Sequence, residues 1–209
     1  MRTKTLLIAA AALAATVISS EAQVYSGVVG YVNVVLPAGT FALVANPLDD
    51  GTNTVTSVGA NLPNKSLIEI WNGTGFTASS KAGGVWTPPD LAVPPGTGFF
   101  VNSKTAITNT FVGQVDTAVG ASTTNSVPAG TFVLAGSTIP FTGDLNDTNL
   151  NLGPTLANKS LVEVWNGAGF NASSKAGGVW TPNLTLSVGE GFFIQSKTAT
   201  NWVQTLPAN

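Results

Sequence analysis

Asn64 to Pro88 reads NKSLIEIWNGTGFTASSKAGGVWTP, and Asn158 to Pro182 reads NKSLVEVWNGAGFNASSKAGGVWTP, with 21 of 25 positions identical at an offset of 94. A chain that carries the same segment twice at this spacing is expected to fold as two copies of one unit of roughly 90 residues. The four differences are Ile68/Val162, Ile70/Val164, Thr74/Ala168 and Thr77/Asn171. Two of them exchange β-branched apolar residues, which a buried strand face permits. Matches continue outside the block at shifted offsets. Pro37-Ala38-Gly39-Thr40-Phe41 returns as Pro128 to Phe132, Gly98-Phe99-Phe100 as Gly191 to Phe193, and Ser103-Lys104-Thr105-Ala106 as Ser196 to Ala199. Two copies are too few for a propeller or a solenoid. Residues 46–63 and 137–157, just before the block, share almost nothing. A job needed twice, a folding nucleus and a local gene-conversion event all fit this contrast.

The unit reads as β structure. Val28 to Leu36 is expected as a strand, Pro37-Ala38-Gly39 as a turn and Phe41 to Ala45 as the returning strand. Leu67 to Trp71 follows. Asn72-Gly73 then turns toward Gly75-Phe76, because both turn residues accept positive φ. Thr77 to Gly84 reads as a loop, and Val85-Trp86, Gly98 to Asn102 and Thr110 to Val115 complete the set. In the second copy the first strand, Ala121 to Ser126, is polar. Short strands between Gly and Pro turns predict two tandem small β-sandwich or barrel-like modules. The divisions are a leader at 1–22, module 1 at 23–116 and module 2 at 117–209.

The leader is expected because Arg2 and Lys4 precede an apolar run from Leu6 to Ile18, and Ser20-Glu21-Ala22 offers a small-x-small exit. That pattern describes a secretory signal peptide. The run is too short to span a bilayer, which needs about 20 apolar residues. No membrane span is expected after cleavage, and the expected destination is extracellular or the cell surface, with the periplasm as a further compartment. The remaining 187 of the 209 residues carry six Lys against nine Asp and Glu, a net charge of −3. So weak a balance excludes nucleic acid as a partner, since that demands clustered cations. Only 9% of residues are charged, and scarce surface charge favours association.

Taken together, VVGYVNV from Val28, Leu36-Pro37-Ala38-Gly39, Ala45-Asn46-Pro47-Leu48, the Trp71-Asn72-Gly73 turn, Trp86-Thr87-Pro88 and Gly96-Thr97-Gly98-Phe99-Phe100 resemble a family of secreted bacterial tandem-module β proteins of unknown function. The resemblance covers nearly the whole mature chain. It implies a secreted β protein and brings no activity with it. Module 2 departs from the pattern where Ala135-Gly136-Ser137-Thr138 replaces Val44-Ala45-Asn46-Pro47.

The chain has no His and no Cys. Their absence removes Ser-His-Asp triads, Cys-His pairs and nearly all zinc sites, and leaves no disulfide. Ser79-Ser80-Lys81 and Ser173-Ser174-Lys175 act as dyads only if burial depresses the lysine pKa, and their Gly-rich flanks read as exposed loops. Glu69 and Glu163 are the only matched acids, one per module, where a glycosidase needs two facing carboxylates. Asp49-Asp50-Gly51-Thr52-Asn53 and the Asp144 to Asn149 segment are oxygen-rich enough for calcium, yet their spacings fit ordinary polar turns better. The expectation is no enzyme, no cofactor and no metal site.

The aromatic pattern is the stronger signal. Trp71, Trp86, Phe76, Phe99 and Phe100 recur as Trp165, Trp180, Phe170, Phe192 and Phe193. Strand alternation puts Ile68 and Ile70 on one face of their strand and Leu67, Glu69 and Trp71 on the other. All six mature lysines are matched between copies. A candidate ligand or partner surface therefore comprises Glu69, Trp71, Lys81 and Trp86, repeated as Glu163, Trp165, Lys175 and Trp180. The competing reading places the tryptophans in the core. The expected function is a non-enzymatic extracellular or cell-surface structural or interaction protein, self-associating. The alternative is a protein that binds extracellular polysaccharide through its tryptophans.

Overall fold

A computed structural model describes residues 29–115 and 120–206. The expected leader and the expected module boundary after residue 116 lie outside the described residues. The described chain is all-β: sixteen strands and two single-turn helices, in antiparallel sheets of which none closes into a barrel.

In the first half, β1 (Val29–Leu36) pairs along its whole length with β7 (Ile107–Gln114) as a two-stranded ribbon, Tyr31 opposite Val112 and Leu36 opposite Ile107. A five-stranded sheet runs in the order β2-β6-β3-β4-β5. Its members are β2 (Phe41–Ala45), β3 (Leu67–Trp71), β4 (Phe76–Ala82), β5 (Val85–Thr87) and β6 (Gly98–Asn102). Helix α1 (Val55–Val58) lies between β2 and β3 in sequence.

The second half repeats this order. The ribbon is β8 (Ser122–Val127) with β16 (Thr200–Thr205). The sheet is β9-β15-β11-β12-β13, formed by β9 (Phe132–Gly136), β11 (Leu161–Trp165), β12 (Phe170–Ala176), β13 (Val179–Thr181) and β15 (Gly191–Gln195). Helix α2 (Leu152–Thr155) takes the place of α1. A small extra pair, β10 (Gly143–Asp144) with β14 (Thr185–Leu186), matches a single bridge between Thr54 and Ala92.

The local chemistry explains the β3–β4 hairpin. Asn72 Oδ1 accepts the N–H groups of Thr74 and Gly75, and Gly73 takes φ +100°, which a side chain would oppose. Asn166 and Gly167 repeat the turn. Two boundaries differ from the sequence expectation. The last strand of module 1 starts at Ile107 rather than Thr110. The expected loop at 77–84 is mostly strand β4, and only Gly83-Gly84 turns, at φ +58° and +84°.

Each five-stranded sheet buries one face in an apolar cluster that runs continuously through both halves. Ile68, Trp86, Phe99 and Phe111 serve module 1, and Val162, Trp180, Phe192 and Trp202 serve module 2. The ribbons are matched by compensation. Buried Asn109 and Phe111 of β7 stand where β16 has Trp202 and Gln204, so the amide and the aromatic ring have exchanged places along the strand. The variable segments follow that exchange. Asn109 Nδ2 donates to Val58 O at 3.1 Å, while Trp202 Nε1 donates to Leu150 O at 2.7 Å and Gln204 Oε1 accepts the Thr138 N–H at 3.0 Å. Segments 46–63 and 137–157 differ because each fits its own ribbon. Among the described residues no helix is long and apolar enough to cross a membrane.

Candidate functional site

The eight candidate residues do not form one surface. Trp86 and Trp180 are core residues, 2% and 1% exposed. Trp86 Nε1 donates to Gly59 O at 3.2 Å beneath α1. Burial withdraws both rings from any ligand-facing role in this conformation.

Lys81 and Lys175 correct the exposed-loop expectation outright, at 7% and 6% exposed. Strand alternation along β4 turns positions 79 and 81 inward, and β12 repeats this at 173 and 175. Lys81 Nζ donates to the carbonyls of Gly59, Ala60 and Leu62 at 3.3, 2.8 and 2.8 Å. It also lies 5.8 Å from the Trp86 ring centroid. The lysine thus places a full positive charge at the C-terminal end of α1, supplying the donor for Ala60 O and Leu62 O and adding one to Gly59 O. Lys175 Nζ donates likewise to Gly153 O and Leu156 O, and burial holds its pKa below the usual lysine value. The depressed Lys175 pKa is what a base would need, but its ammonium is hydrogen-bonded to Gly153 O and Leu156 O rather than to Ser173 or Ser174.

These lysines explain why the shared block is nearly invariant. Asn64 Oδ1 accepts the Gly84 N–H at 2.7 Å, the Lys65 N–H donates to Lys81 O, and the Lys81 N–H donates to Ser66 O. Asn158, Lys159 and Ser160 make the same set with Gly178 and Lys175. NKS and SSKAGG form one lock, closed twice, while the following Trp differs: Trp86 Nε1 donates to Gly59 O and the buried Trp180 Nε1 has no hydrogen-bond partner.

Trp71 and Trp165 are half-buried, and what covers them is the other module. Trp71 Nε1 donates to Phe132 O at 2.9 Å, and Trp165 Nε1 donates to Phe41 O at 2.9 Å. The Trp71 ring meets Phe193 edge-on at 5.8 Å and the Trp165 ring meets Phe100 edge-on at 5.6 Å. Leu43, Phe100, Leu134 and Phe193 form a second apolar cluster there, with Phe41, Trp71, Phe132 and Trp165 packed against it. The Ala45 N–H donates to Gly189 O at 2.8 Å, and the Gly136 N–H donates to Gly96 O at 2.9 Å. The indole hydrogen bonds, the edge-on Trp–Phe pairs and the backbone bonds are reciprocal, so the two sheets meet about a pseudo-twofold axis, an isologous interface inside one chain. Gly98 and Gly191 permit the close approach: a Cβ would lie 2.9 Å from Ala135 O at the first and 2.5 Å from Val44 O at the second. Glu69 and Glu163 share the tryptophan-bearing faces of β3 and β11 and are half-buried.

A groove of about 300 Å³ opens at one end of this seam, lined by Val34, Phe41, Trp165, Val188 and Glu190 among others. Glu190 accepts the Ser187 N–H at 2.7 Å, and burial, partly offset by that bond, raises its pKa above the usual carboxylate value. The Asp49 to Asn53 turn is self-satisfied. Asp49 Oδ1 accepts from Gly51 and Asn53, and Asp50 Oδ1 accepts from Thr52 and Asn53. Burial raises the Asp50 pKa, but accepted hydrogen bonds from Ser57, Asn53 and Thr52 outweigh it and the net shift is downward. Among the described residues no group of three or more acidic, His or Cys side chains could hold a metal ion.

The outer face of the β1–β7 ribbon escaped the candidate set. Val29, Tyr31, Val35 and Val112 are 66%, 70%, 75% and 59% exposed. Tyr31, Val35 and Val112 are replaced in module 2 by Ser122, Ser126 and Thr205, and Val29 by Gly120, and the hydroxyls of Ser122 and Thr205 lie 2.7 Å apart. The signal was present in the polar first strand of module 2, which marks where module 1 keeps apolar side chains without a core to bury them.

Fold and seam define an all-β protein whose two like modules close on one another. Comparison with protein-family models, curated proteins and solved structures finds no match for this chain.

Proposed function

We propose that this is a non-enzymatic extracellular or cell-surface structural protein that associates through the outer face of its β1–β7 ribbon. The observation that carries the reading is the asymmetry between like ribbons. Solvent-facing Tyr31, Val35 and Val112 have no structural duty that the polar Ser122, Ser126 and Thr205 of module 2 fail to perform. Val29, Tyr31 and Val112 form an exposed apolar patch, with Val35 beyond the hydrogen-bonded Asn33–Thr110 pair, and such a patch on a two-stranded ribbon is a contact surface or a liability. The scarcity of charge, 9% of residues, supports the same reading. The apolar run from Leu6 to Ile18 supports export. The lack of His and Cys, with buried Lys81 and Lys175 committed to backbone carbonyls, supports a non-enzymatic role.

Sedimentation velocity over a concentration series tests the reading. The comparison is the variant Tyr31→Ser, Val35→Ser, Val112→Thr, which carries the residues module 2 has at the same places. The parent should sediment faster as concentration rises and the variant should not. Identical, concentration-independent boundaries for both would remove the proposal.

Binding to extracellular polysaccharide is the second reading. Phe76 and Phe170, matched rings beside the two hairpins, stay 44% and 42% exposed and favour it. Retention of the parent on a polysaccharide column, lost on Phe76→Ala plus Phe170→Ala, would move the balance to this reading.

A further inference from the structure

Glu190 stands at one end of the seam without a cation to answer it. The groove of about 300 Å³ there is lined by Val34 of β1, Phe41 of β2, Trp165 of β11 and the turn from Ser187 to Glu190, and Glu190 is the one charged residue among its lining residues. The backbone and indole groups around it are satisfied within the chain. Trp165 Nε1 donates to Phe41 O, the Ala45 N–H donates to Gly189 O and the Glu190 N–H donates to Ser187 O. The carboxylate accepts the Ser187 N–H at 2.7 Å. It is half-buried, and burial raises its pKa, so its charge is poorly balanced where it stands. The turn itself does not require it. Ser187 is exposed, so water can serve its N–H. Across the pseudo-twofold axis the Thr97 N–H donates to Pro94 O in the same turn, and Asn125, Pro94 and Thr97 take the places of Val34, Ser187 and Glu190. A carboxylate set in apolar walls at one end only has the character of a ligand-facing group.

We propose that this groove binds a small organic ammonium, with the charged head on Glu190 and the apolar body among Val34, Phe41, Trp165 and Val188. Ligand pockets run from about 300 to 1,000 Å³, so a groove at the small end of that range suits a body of one aromatic ring. An ammonium supplies the charge that burial leaves the carboxylate without, and its hydrogen bond to a carboxylate is of the strong, charge-assisted kind. The rings of Phe41 and Trp165 add attraction for a cation. An anion would be repelled by Glu190, and a neutral polyol would give up water for walls that offer it few partners. None of Val29, Tyr31 and Val112 lines the groove, so ammonium binding and self-association through the ribbon succeed or fail separately.

Titration of the protein with phenethylammonium at neutral pH, followed in nitrogen–proton spectra, tests this. Phenethyl alcohol is the uncharged probe of nearly the same shape. The ammonium should displace the Trp165 indole and Gly189 amide signals saturably, with a dissociation constant at or below about 1 mM. The Trp71 indole, at the opposite end of the seam, should stay in place. The alcohol should bind at least about tenfold more weakly, for want of the charge-assisted bond. Glu190→Gln keeps an acceptor for the Ser187 N–H, and it should weaken ammonium binding at least about tenfold while leaving the alcohol unchanged. If that variant does not fold, the ratio between the two probes on the parent still carries the test. Absence of saturation up to about 10 mM ammonium, equal affinity for the two probes, equal displacement of Trp71 and Trp165, or undiminished ammonium binding by folded Glu190→Gln would each overturn the proposal.

Discussion

A buried lysine with its ammonium aimed at three carbonyls holds structure together and leaves nothing for a ligand. Lys81→Met keeps the length of the side chain but removes the donor from the carbonyls of Ala60 and Leu62, while Gly59 O keeps the Trp86 indole and the Leu62 N–H. Unsatisfied buried groups cost about 1–3 kcal/mol each, and water will recover part of that, so a loss of about 3 kcal/mol in urea unfolding is expected. Lys104→Met, at an exposed matched lysine, should cost far less, and equal losses would refute the structural role. Glu190 gives a pH signature. Its folded pKa is raised, so folding favours the protonated form. That stabilisation is absent at neutral pH, grows as pH falls through the raised folded value, and is complete below the unfolded value of about 4.3. Glu190→Gln keeps an acceptor for the Ser187 N–H, so melts at several pH values should show this stabilising step in the parent and its absence in the variant. A slope unchanged by the substitution would assign it to other carboxylates. At this scale the sequence reveals which residues are matched, because matching is written in the letters. It does not reveal their depth, because Trp71 and Trp86 read alike until a fold puts one in a seam and the other in a core.

The elements were legible where their chemistry is local. The Asn-Gly hairpins and the alternation of Ile68 and Ile70 against Trp71 stand as expected, since turn residues and strand period are short-range signals. Strand β4 was not legible. Its inward positions carry Ser79 and Lys81, so the polar side chains sit where the pattern leads one to look for apolar ones. Only the distant carbonyls of the α1 end make that burial tolerable. The same junction yields a prediction with a built-in control. Gly59 and Gly153 stand 94 residues apart at matched places, and each carbonyl accepts from its lysine. A Cβ on Gly59 would lie 2.7 Å from Trp86 Cζ2 and 2.8 Å from Val55 O, whereas Gly153 has open space around it. Gly59→Ala should therefore cost about 1–3 kcal/mol by overpacking. Gly153→Ala should be neutral or slightly stabilising, since it gains helix propensity. Equal effects in chemical denaturation would show that Gly59, at the end of α1, and Gly153, in the first turn of α2, do not pack as described.

At the scale of the molecule, repetition in sequence becomes pairing in space. The offset of 94 announces two units but is silent on the face they share. The seam residues Trp71, Phe100, Trp165 and Phe193 would read the same on a ligand platform. What distinguishes the two is reciprocity, which exists only between residues far apart in the chain. The central claim is that the matched tryptophans 71 and 165 are closed over by the opposite module. Hydrogen exchange at the indole N–H groups of tryptophan-labelled protein tests it most directly, with the core indole of Trp86 as internal reference. The account predicts that Trp71 and Trp165 exchange together and slowly, at least about a thousandfold below a free indole, since their bonds to Phe132 O and Phe41 O break only when the seam opens. Exchange of both at the free rate, with Trp86 still protected, would contradict it and leave two modules that fold without closing on each other.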